Sequence, residues 1–340
     1  MNNDGKSHNH PRRQWHRRLP GSLHSDALHS GLRSGSRAVR HWFENAGIRA
    51  VIWLLHRIPY RWRVPFGGWL FSRLIAPLAG YRRRIRANLD LVVPDLEEAE
   101  KARLVRDVPR NIGRTVTELY SPNDFLAVAR RIQITGPGLA ALEQAHAQGR
   151  PAILVSGHFG NYDAVRAALL HRGHRIGGLY RPMNNRLFNA HYVATISRIG
   201  SPLFDRGRRG LGQMMRFLRG GGTLAILLDQ RMNHGVPLRF FGHPAWTALS
   251  AAELALKYDA ELIPCYAIRR PDGMTFDVEL EAPLPHTDAE TMTQALNDSL
   301  EAQVRAHMDQ WFWLHNRWKI PVHLQTHDQN HGHLPMEEAP

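Results

Sequence analysis

The pattern of apolar and polar positions predicts alternating strands and helices over most of the chain. Runs of about four to eight apolar residues are typical of buried strands, and apolar residues that recur every three or four positions indicate helices. The predicted strands lie at 130–135, 152–156, 175–180, 223–228, 262–268 and 274–281. The predicted helices lie at 95–120, 138–147, 161–171, 186–199, 208–219, 247–258 and 288–310. Pro109 should start or kink the first of these helices. The alternation predicts an α/β sandwich in which helices flank a largely parallel central sheet.

Residues 41–85 show a different pattern. Tryptophans and aliphatic residues are interrupted by arginines, so that no stretch reaches the roughly 18–20 apolar residues of a standard membrane-spanning helix. Helices that are apolar on one side and arginine-rich on the other are typical of membrane surfaces. Trp53, Trp62 and Trp69 suit a belt at the level of the lipid headgroups. We therefore predict a membrane-associated helical segment, and the alternative is an ordinary amphipathic helix packed on the rest of the chain.

Composition divides the chain into four segments. Residues 1–40 are rich in His, Arg, Ser and Gly and are predicted to form a basic, disordered extension. Residues 41–85 form the membrane-associated segment, and residues 86–321 carry the alternating strands and helices of the folded domain. Residues 322–340 are predicted to be a flexible tail.

The positive charge is concentrated at the beginning of the chain. The net charge is +14, from 44 Lys and Arg against 30 Asp and Glu. Residues 1–86 carry 17 basic and 3 acidic residues, whereas residues 87–340 carry 27 of each. A nucleic-acid enzyme would more often spread its basic surface over the folded domain. The distribution therefore favours an anionic membrane surface as a partner, and no nucleic acid. The single cysteine, Cys265, excludes an intramolecular disulfide and is expected to be a packed thiol.

The segment Ser-Gly-His-Phe-Gly-Asn-Tyr-Asp, residues 156–163, carries the strongest candidate chemistry. It joins a predicted strand to a predicted helix, with His158 in the turn and Asp163 one turn into the helix. We expect the Asp163 carboxylate to reach one ring nitrogen of His158, which leaves the other nitrogen free to act as a general base. Gly157 and Gly160 would keep the turn open, so that backbone N–H groups could stabilise an oxyanion. The alternative for His158 alone is a loop histidine that caps the helix.

This box resembles the His-x4-Asp signature of the glycerolipid-type acyltransferases, and its form here resembles that of the bacterial lipid A late acyltransferases. Further blocks similar to that family follow in order, at 179–185, 220–230, 240–247, 262–268 and 311–319. The resemblance covers about residues 45–321. It implies a glycerolipid-acyltransferase-like fold in which His158 and Asp163 are catalytic. Since the family usually carries one N-terminal membrane anchor, a short or tilted span also remains open for residues 41–85.

The resemblance implies transfer of a fatty acyl chain to a hydroxyl of a lipid A precursor in lipopolysaccharide synthesis. The donor would be an acyl thioester, most simply on acyl carrier protein, with acyl-CoA as an alternative. The expected partners are acyl carrier protein, the lipid A precursor and the anionic membrane surface. No metal or other cofactor is implied. The expected location is the cytoplasmic face of the cell inner membrane.

Other candidate substrate-binding residues follow predicted strands or lie in the matching blocks. Arg181 follows a strand at the edge where open α/β sheets bind ligands, and its guanidinium suits a phosphate; the alternative is a surface arginine. Asp229 ends a strand at the same edge and is either a site residue or a cap. Phe241 and Gly242 belong to the 240–247 block, where aromatic residues either line an acyl tunnel or form core. Arg317 either faces lipid phosphates or belongs to a solvated basic face.

Three other functions remain open from the residues. A metal-dependent hydrolase is suggested by the 21 histidines, but the chain has no His-Glu-x-x-His and no Cys/His spacing of a closed zinc site. A non-enzymatic basic membrane-binding protein would leave the residue 156–163 box unexplained. The same acyl transfer to another acceptor, a lysophospholipid or an aminolipid, is not separated from lipid A by the box.

Overall fold

The computed structural model describes residues 41–320. The predicted extension over residues 1–40 and the predicted tail over residues 322–340 lie outside the described part. Residues 41–48 are helical and belong to a first unit, and the described residues 49–320 belong to a second, compact unit.

A seven-stranded sheet forms the centre of the second unit. Its strands are β1 (Ile134–Thr135), β2 (Ala152–Ser156), β3 (Ile176–Tyr180), β4 (Leu203–Asp205), β5 (Thr223–Leu227), β8 (Glu261–Arg269) and β9 (Phe276–Leu280), in the spatial order β1-β9-β8-β2-β5-β3-β4. Only the β8–β9 pair is antiparallel, and the other neighbours run parallel. Two further strands, β6 (Val236–Phe240) and β7 (His243–Thr247), form a separate hairpin. The prediction of a largely parallel sheet is confirmed.

Helices cover both faces of the sheet. They are α1 (Tyr60–Leu70), α2 (Tyr81–Val92), α3 (Glu98–Leu119), α4 (Pro122–Ala129), α5 (Gly138–Ala147), α6 (Tyr162–His171), α7 (Arg186–Ile199), α8 (Arg208–Arg219), α9 (Ser250–Tyr258) and α10 (Ala289–Ala306). Successive side chains of a strand point to opposite faces. Ile153 and Val155 of β2 accordingly pack in one hydrophobic core, with α2, α3, α9 and α10, whereas Ala152 and Leu154 pack in a second core with α5 and α6. The two cores establish the predicted sandwich.

The structure differs from the predicted elements in several places. Pro109 lies inside helix α3 and does not start it, which leaves the predicted alternative, a kink in the helix. The hairpin of β6 and β7 was not predicted, because the prolines at 237 and 244 and the glycine at 242 obscure the strand pattern. The helix predicted from residue 247 begins at Ser250, since Thr247 is the last residue of β7. Short β4 and α4 were also not predicted.

Helix α1 packs one side against α3 and exposes the other. A Cβ on Gly67 would lie 2.0 Å from Oγ1 of Thr117, so only glycine permits this close helix crossing. Trp62, Phe66 and Trp69 recur at the spacing of one helix face and are exposed. Among residues 41–320, no helix combines the length and apolar character needed to cross a membrane. The exposed apolar face of α1 agrees with the predicted membrane-associated segment, and membrane contact itself stays a prediction.

Candidate active site

The register of the central sheet brings His158 and Asp229 together. Strands β2 and β5 are parallel neighbours, and Ser156 at the end of β2 pairs with Leu227 at the end of β5. His158 and Asp229 each follow these paired residues by two positions. They therefore emerge side by side at the carboxyl edge of the sheet, where ligands bind in open α/β folds.

A short hydrogen bond joins the two side chains. Nδ1 of His158 lies 2.7 Å from Oδ1 of Asp229, and Oδ2 of Asp229 accepts hydrogen bonds from the His158 backbone N–H at 2.8 Å and from Nε1–H of Trp311 at 2.9 Å. The Asp229 side chain is 0% exposed and that of His158 is 21% exposed. Burial acts to raise the pKa of Asp229, but the charge and hydrogen bonds of His158 outweigh it and hold this pKa well below its usual value. Asp229 is therefore an anion that fixes the ring of His158.

The network assigns the tautomer of His158. An ionised Asp229 can only accept hydrogen bonds, so the proton of a neutral imidazole belongs on Nδ1. Nε2 then carries the lone pair and faces the cavity, where Nε2 of Gln230 lies 3.5 Å away. A buried carboxylate on one ring nitrogen and an open lone pair on the other is the arrangement of a general base.

The predicted hydrogen bond between Asp163 and His158 is wrong. Oδ1 of Asp163 accepts instead from Nε and Nη2 of Arg166, at 2.8 and 2.7 Å. Helix α6 begins at Tyr162, after its cap Asn161, and residues three apart on a helix are neighbours, so Arg166 lies closer to Asp163 than the turn does. Nη1 of Arg166 donates to the Gly200 carbonyl at 2.8 Å. Asp163 lines the same cavity as His158, and a catalytic role for it stays a prediction.

The turn that carries His158 is held by hydrogen bonds to its backbone. The N–H of Gly160 donates to the Gln310 carbonyl at 2.9 Å, and Phe312 N–H donates to the His158 carbonyl at 3.0 Å. The amides of His158 and Gly160 are both engaged, and the prediction that backbone N–H groups of this turn stabilise an oxyanion stays a prediction for the other amides. A Cβ on Gly157 would lie 2.8 Å from two methyl groups of Leu300, so Gly157 serves close packing beneath the site.

His315 is a second imidazole beside the dyad, and the sequence prediction missed it. Its ring centroid lies 4.9 Å from that of His158, and its Nε2 lies 3.9 Å from Oδ2 of Asp229 without a hydrogen-bond partner. Burial lowers the pKa of His315 to about 4 against the attraction of Asp229, so the ring is neutral at pH 7. A neutral ring at this position leaves Asp229 free to stabilise a protonated His158.

The side chains of these three residues also form a possible set of metal ligands. His158, Asp229 and His315 can offer one ligand atom each, all within 4.8 Å of one another. Both oxygens of Asp229 already accept hydrogen bonds from this chain, so a metal ion would have to displace at least one of them. The donor set fits a hydrogen-bonded dyad better than a metal site.

A cavity of about 250 Å³ opens beside His158. Its apolar lining comes from the facing sides of the sheet and α6, and includes Leu154, Val165, Leu203, Ile226 and Cys265. Burial raises the pKa of the Cys265 thiol to about 12. Cys265 is therefore a packed thiol in the wall, as predicted, and is no candidate nucleophile.

The polar lining of the cavity gathers at the edge of the sheet. Arg181, which the sequence predicted, lies there together with Ser156, Arg206 and Gln230, which it did not. Arg206 directly follows β4, which the sequence did not predict, and the only sequence signal for Gln230 is its position next to Asp229. The hydroxyl of Ser156 is buried and has no hydrogen-bond partner within the protein. It is available to a ligand in the cavity.

Two predicted binding residues, Phe241 and Arg317, belong to the core, and Gly242 is an exposed turn residue. Phe241 and Gly242 form the turn of the β6–β7 hairpin, both with positive φ. The ring of Phe241 packs edge-on against Trp313 and Trp318, and neither turn residue lines the cavity. Arg317 is fully buried and donates to the Trp246 carbonyl at 3.0 Å. The predictions that Phe241 lines an acyl tunnel and that Arg317 faces lipid phosphates are therefore wrong.

Comparison with known proteins relates the chain to one family of enzymes. The sequence profile of the family described as bacterial lipid A biosynthesis acyltransferase matches residues 32–320. A lipid A biosynthesis lauroyltransferase of Escherichia coli is 26% identical over 291 residues, which cover 82% of this chain and 92% of that protein. A lipid A biosynthesis acyltransferase of Haemophilus influenzae is 27% identical over 265 residues, covering 74% and 81%. A phosphatidylinositol mannoside acyltransferase of Mycobacterium tuberculosis is 25% identical over 195 residues, covering 56% and 62%.

Proposed function

Because this chain belongs to the bacterial lipid A biosynthesis acyltransferase family, we propose that it transfers a fatty acyl chain from an acyl thioester to a hydroxyl of a lipid A precursor. Family membership confirms the resemblance of the sequence and makes the chain an O-acyltransferase. The proposal adds the donor, the acceptor and the residues that act on them.

The observation that carries the proposal is the His158–Asp229 pair beside the cavity. Nε2 of His158 takes the proton of the acceptor hydroxyl while that oxygen attacks the carbonyl carbon of the thioester. The tetrahedral intermediate then collapses, the C–S bond breaks, and the departing thiolate takes the proton from the imidazolium. Asp229 stabilises the imidazolium between these steps. The reaction balances without a covalent acyl-enzyme, a redox partner or a metal ion.

Two side chains are placed to stabilise the oxyanion. The amide of Gln230 lies 3.5 Å from Nε2 of His158, and the unpartnered hydroxyl of Ser156 lines the same cavity. Hydrogen-bond donors that already point to the position of the developing oxyanion stabilise the transition state effectively, because they need not reorient during the reaction. They would act beside, or in place of, the backbone amides predicted from the sequence, of which those of His158 and Gly160 are engaged in the fold.

The two substrates approach from different surroundings. We infer that the apolar cavity holds the acyl chain, and that acyl carrier protein presents the thioester, with acyl-CoA as the alternative donor. The exposed face of Trp62, Phe66 and Trp69 on α1 supports contact with a membrane that contains the lipid acceptor. On this proposal the enzyme works at the cytoplasmic face of the inner membrane.

The relative from Mycobacterium tuberculosis suggests a second class of acceptor lipid. That protein is named for a mannosylated phosphatidylinositol and not for lipid A. The base and the cavity serve any acceptor hydroxyl, so the acceptor has to be tested separately from the chemistry.

The experiment is acyl transfer from labelled acyl carrier protein to a tetra-acylated lipid A precursor, with wild type, His158→Ala and His171→Ala compared. His171 is an exposed histidine at the end of α6 and serves as the matched control. We expect His158→Ala to lose about a thousandfold in rate, as is usual when a general base is removed, and His171→Ala to match wild type. Equal rates for all three proteins would refute the base. Transfer only to a lysophospholipid or a mannosylated lipid would refute the acceptor and keep the chemistry.

A further inference from the structure

A second pair of residues is juxtaposed by the sheet register. Strands β3 and β4 are parallel neighbours, and Tyr180 at the end of β3 pairs with Asp205 at the end of β4. Arg181 and Arg206 each follow these paired residues by one position. Two arginines therefore emerge together at the carboxyl edge of the sheet, and both line the cavity that contains His158.

The two guanidinium groups lie near each other at the mouth of the cavity, where both residues are exposed. Partial burial and then the charge of Arg181 lower the pKa of Arg206, which places two like charges close together. No carboxylate in residues 49–320 forms an ion pair with either of them, although Asp205 lies next to Arg206 in the chain. Oδ1 of Asp205 instead accepts the N–H of Gly207. Solvent and salt screen the repulsion between exposed charges, so its cost in the empty protein is small, and the pair of positive charges attracts an anion to this position.

The surroundings favour a phosphate over a carboxylate. Two guanidinium groups offer forks of N–H donors that match the oxygens of a phosphate and balance a charge of about −2. Helix α8 begins at Arg208, but the carboxylate of Asp205 already accepts the N–H of its cap residue Gly207, so the anion site depends on the two guanidinium groups. Hydrophobic side chains such as Leu203 line the cavity on the inner side of the pair, as expected for an amphipathic ligand with an anionic end.

We propose that Arg181 and Arg206 bind a phosphate group of a substrate at the mouth of the cavity. The identity of that substrate rests on the proposed function, whereas phosphate binding itself does not. The phosphate has two chemical sources, the phosphorylated headgroup of the lipid acceptor and the phosphodiester of the arm that carries the acyl thioester. Arg206 would then be a substrate-binding residue that distinguishes phosphorylated from unphosphorylated ligands.

The first test uses inorganic phosphate as the probe and needs no acyl transfer. Phosphate binding is measured by ³¹P nuclear magnetic resonance on wild type, Arg206→Gln and Arg209→Gln. Arg209 is exposed, lies three residues along the chain and does not line the cavity, so its variant makes the same change in net charge. We expect Arg206→Gln to weaken binding by about tenfold or more and Arg209→Gln to change it little. Equal binding by all three proteins would overturn the proposal.

The second test identifies the source of the phosphate from steady-state kinetics. If the acceptor carries it, Arg206→Gln raises the KM for the phosphorylated lipid by about tenfold with kcat nearly unchanged, and leaves the KM for the dephosphorylated lipid as in wild type. If the donor arm carries it, the KM for acyl phosphopantetheine rises and that for acyl pantetheine does not. Arg206→Lys should recover part of either effect. Unchanged KM values for both phosphorylated substrates would overturn the proposal, and a lack of transfer by wild type would refute the proposed function alone.

Discussion

At the scale of single residues, the carboxylate that contacts His158 is that of Asp229, whereas the spacing of the box predicts Asp163. Asp229 accepts three hydrogen bonds around His158, whereas Asp163 compensates the charge of buried Arg166. A carboxylate that orients an imidazole acts on the rate, and one that neutralises a buried cation acts on the fold.

We predict that Asp229→Asn lowers kcat by about a thousandfold or more at nearly unchanged thermal stability. An amide can no longer satisfy Nδ1–H and the two other donors together, so the imidazole takes the wrong tautomer. Asp163→Asn should instead lower the free energy of unfolding by about 3 kcal/mol, because Arg166 loses its counter-charge, with a smaller fall in kcat. Urea unfolding and acyl-transfer rates measure both. A stable Asp163→Asn protein with the larger loss of kcat would reinstate Asp163 as the residue that orients the base.

At the scale of elements, the turn between β2 and α6 is fixed by its packing as much as by its sequence. Gly160 has a φ of +54°, and a Cβ there would lie 1.9 Å from the carbonyl oxygen of Ala267 in β8. The carbonyl of Gly160 also accepts a hydrogen bond from Thr115 of α3 at 3.0 Å. The position of His158 therefore depends on contacts with two other elements.

We predict that Gly160→Ala destabilises the protein and abolishes acyl transfer, because the turn must move away from β8. Gly149→Ala is the matched control, since Gly149 has a φ of +66° but its Cβ would meet no atom within 4 Å. The control should cost only the strain of positive φ, about 1 kcal/mol, and retain activity. Denaturant unfolding and transfer rates compare the two. Equal losses would show that backbone strain, and not the contact with β8, positions the turn.

At the scale of the whole molecule, helix α1 carries a cluster of exposed aromatic residues, far along the chain from the residue 156–163 box. Trp62 and Trp69 are 61% and 48% exposed, although large aromatic side chains are usually well buried. The opposite side of α1 is committed to its close crossing with α3. The exposed side of α1 is therefore available to a partner. The nearby arginines Arg57, Arg61 and Arg73 suit an anionic bilayer.

We predict that replacing Trp62 and Trp69 together by Ser weakens binding to phosphatidylglycerol vesicles by about tenfold or more. Activity toward a detergent-dispersed acceptor should stay close to that of wild type, since neither residue lines the cavity. Leu256→Ser, which changes an exposed apolar residue of α9, is the control and should leave vesicle binding unchanged. Vesicle cosedimentation measures the effect. Unaltered binding by the double variant would refute α1 as the membrane-contacting face.

Much of this molecule followed from its sequence alone. The apolar runs placed six of the seven strands of the central sheet within a few residues, because burial on both faces leaves a continuous hydrophobic signal. His158, Arg181 and Asp229 were predicted as site residues because each follows such a run, and the ordered blocks indicated the family that the profile match bears out.

The tertiary structure decided which of these residues meet. Local spacing favoured Asp163 as the partner of His158, but the β2–β5 register supplied Asp229 from 71 positions away. The β3–β4 register likewise placed Arg206 beside Arg181, and the aromatic C-terminal segment brought His315 to the dyad. Strand order depends on how whole elements pack, so the pattern of apolar and polar residues within one strand does not identify its neighbours in the sheet. The sequence by itself therefore determined the elements, the family and His158 as the candidate base, whereas the residues that contact His158 were determined by the fold.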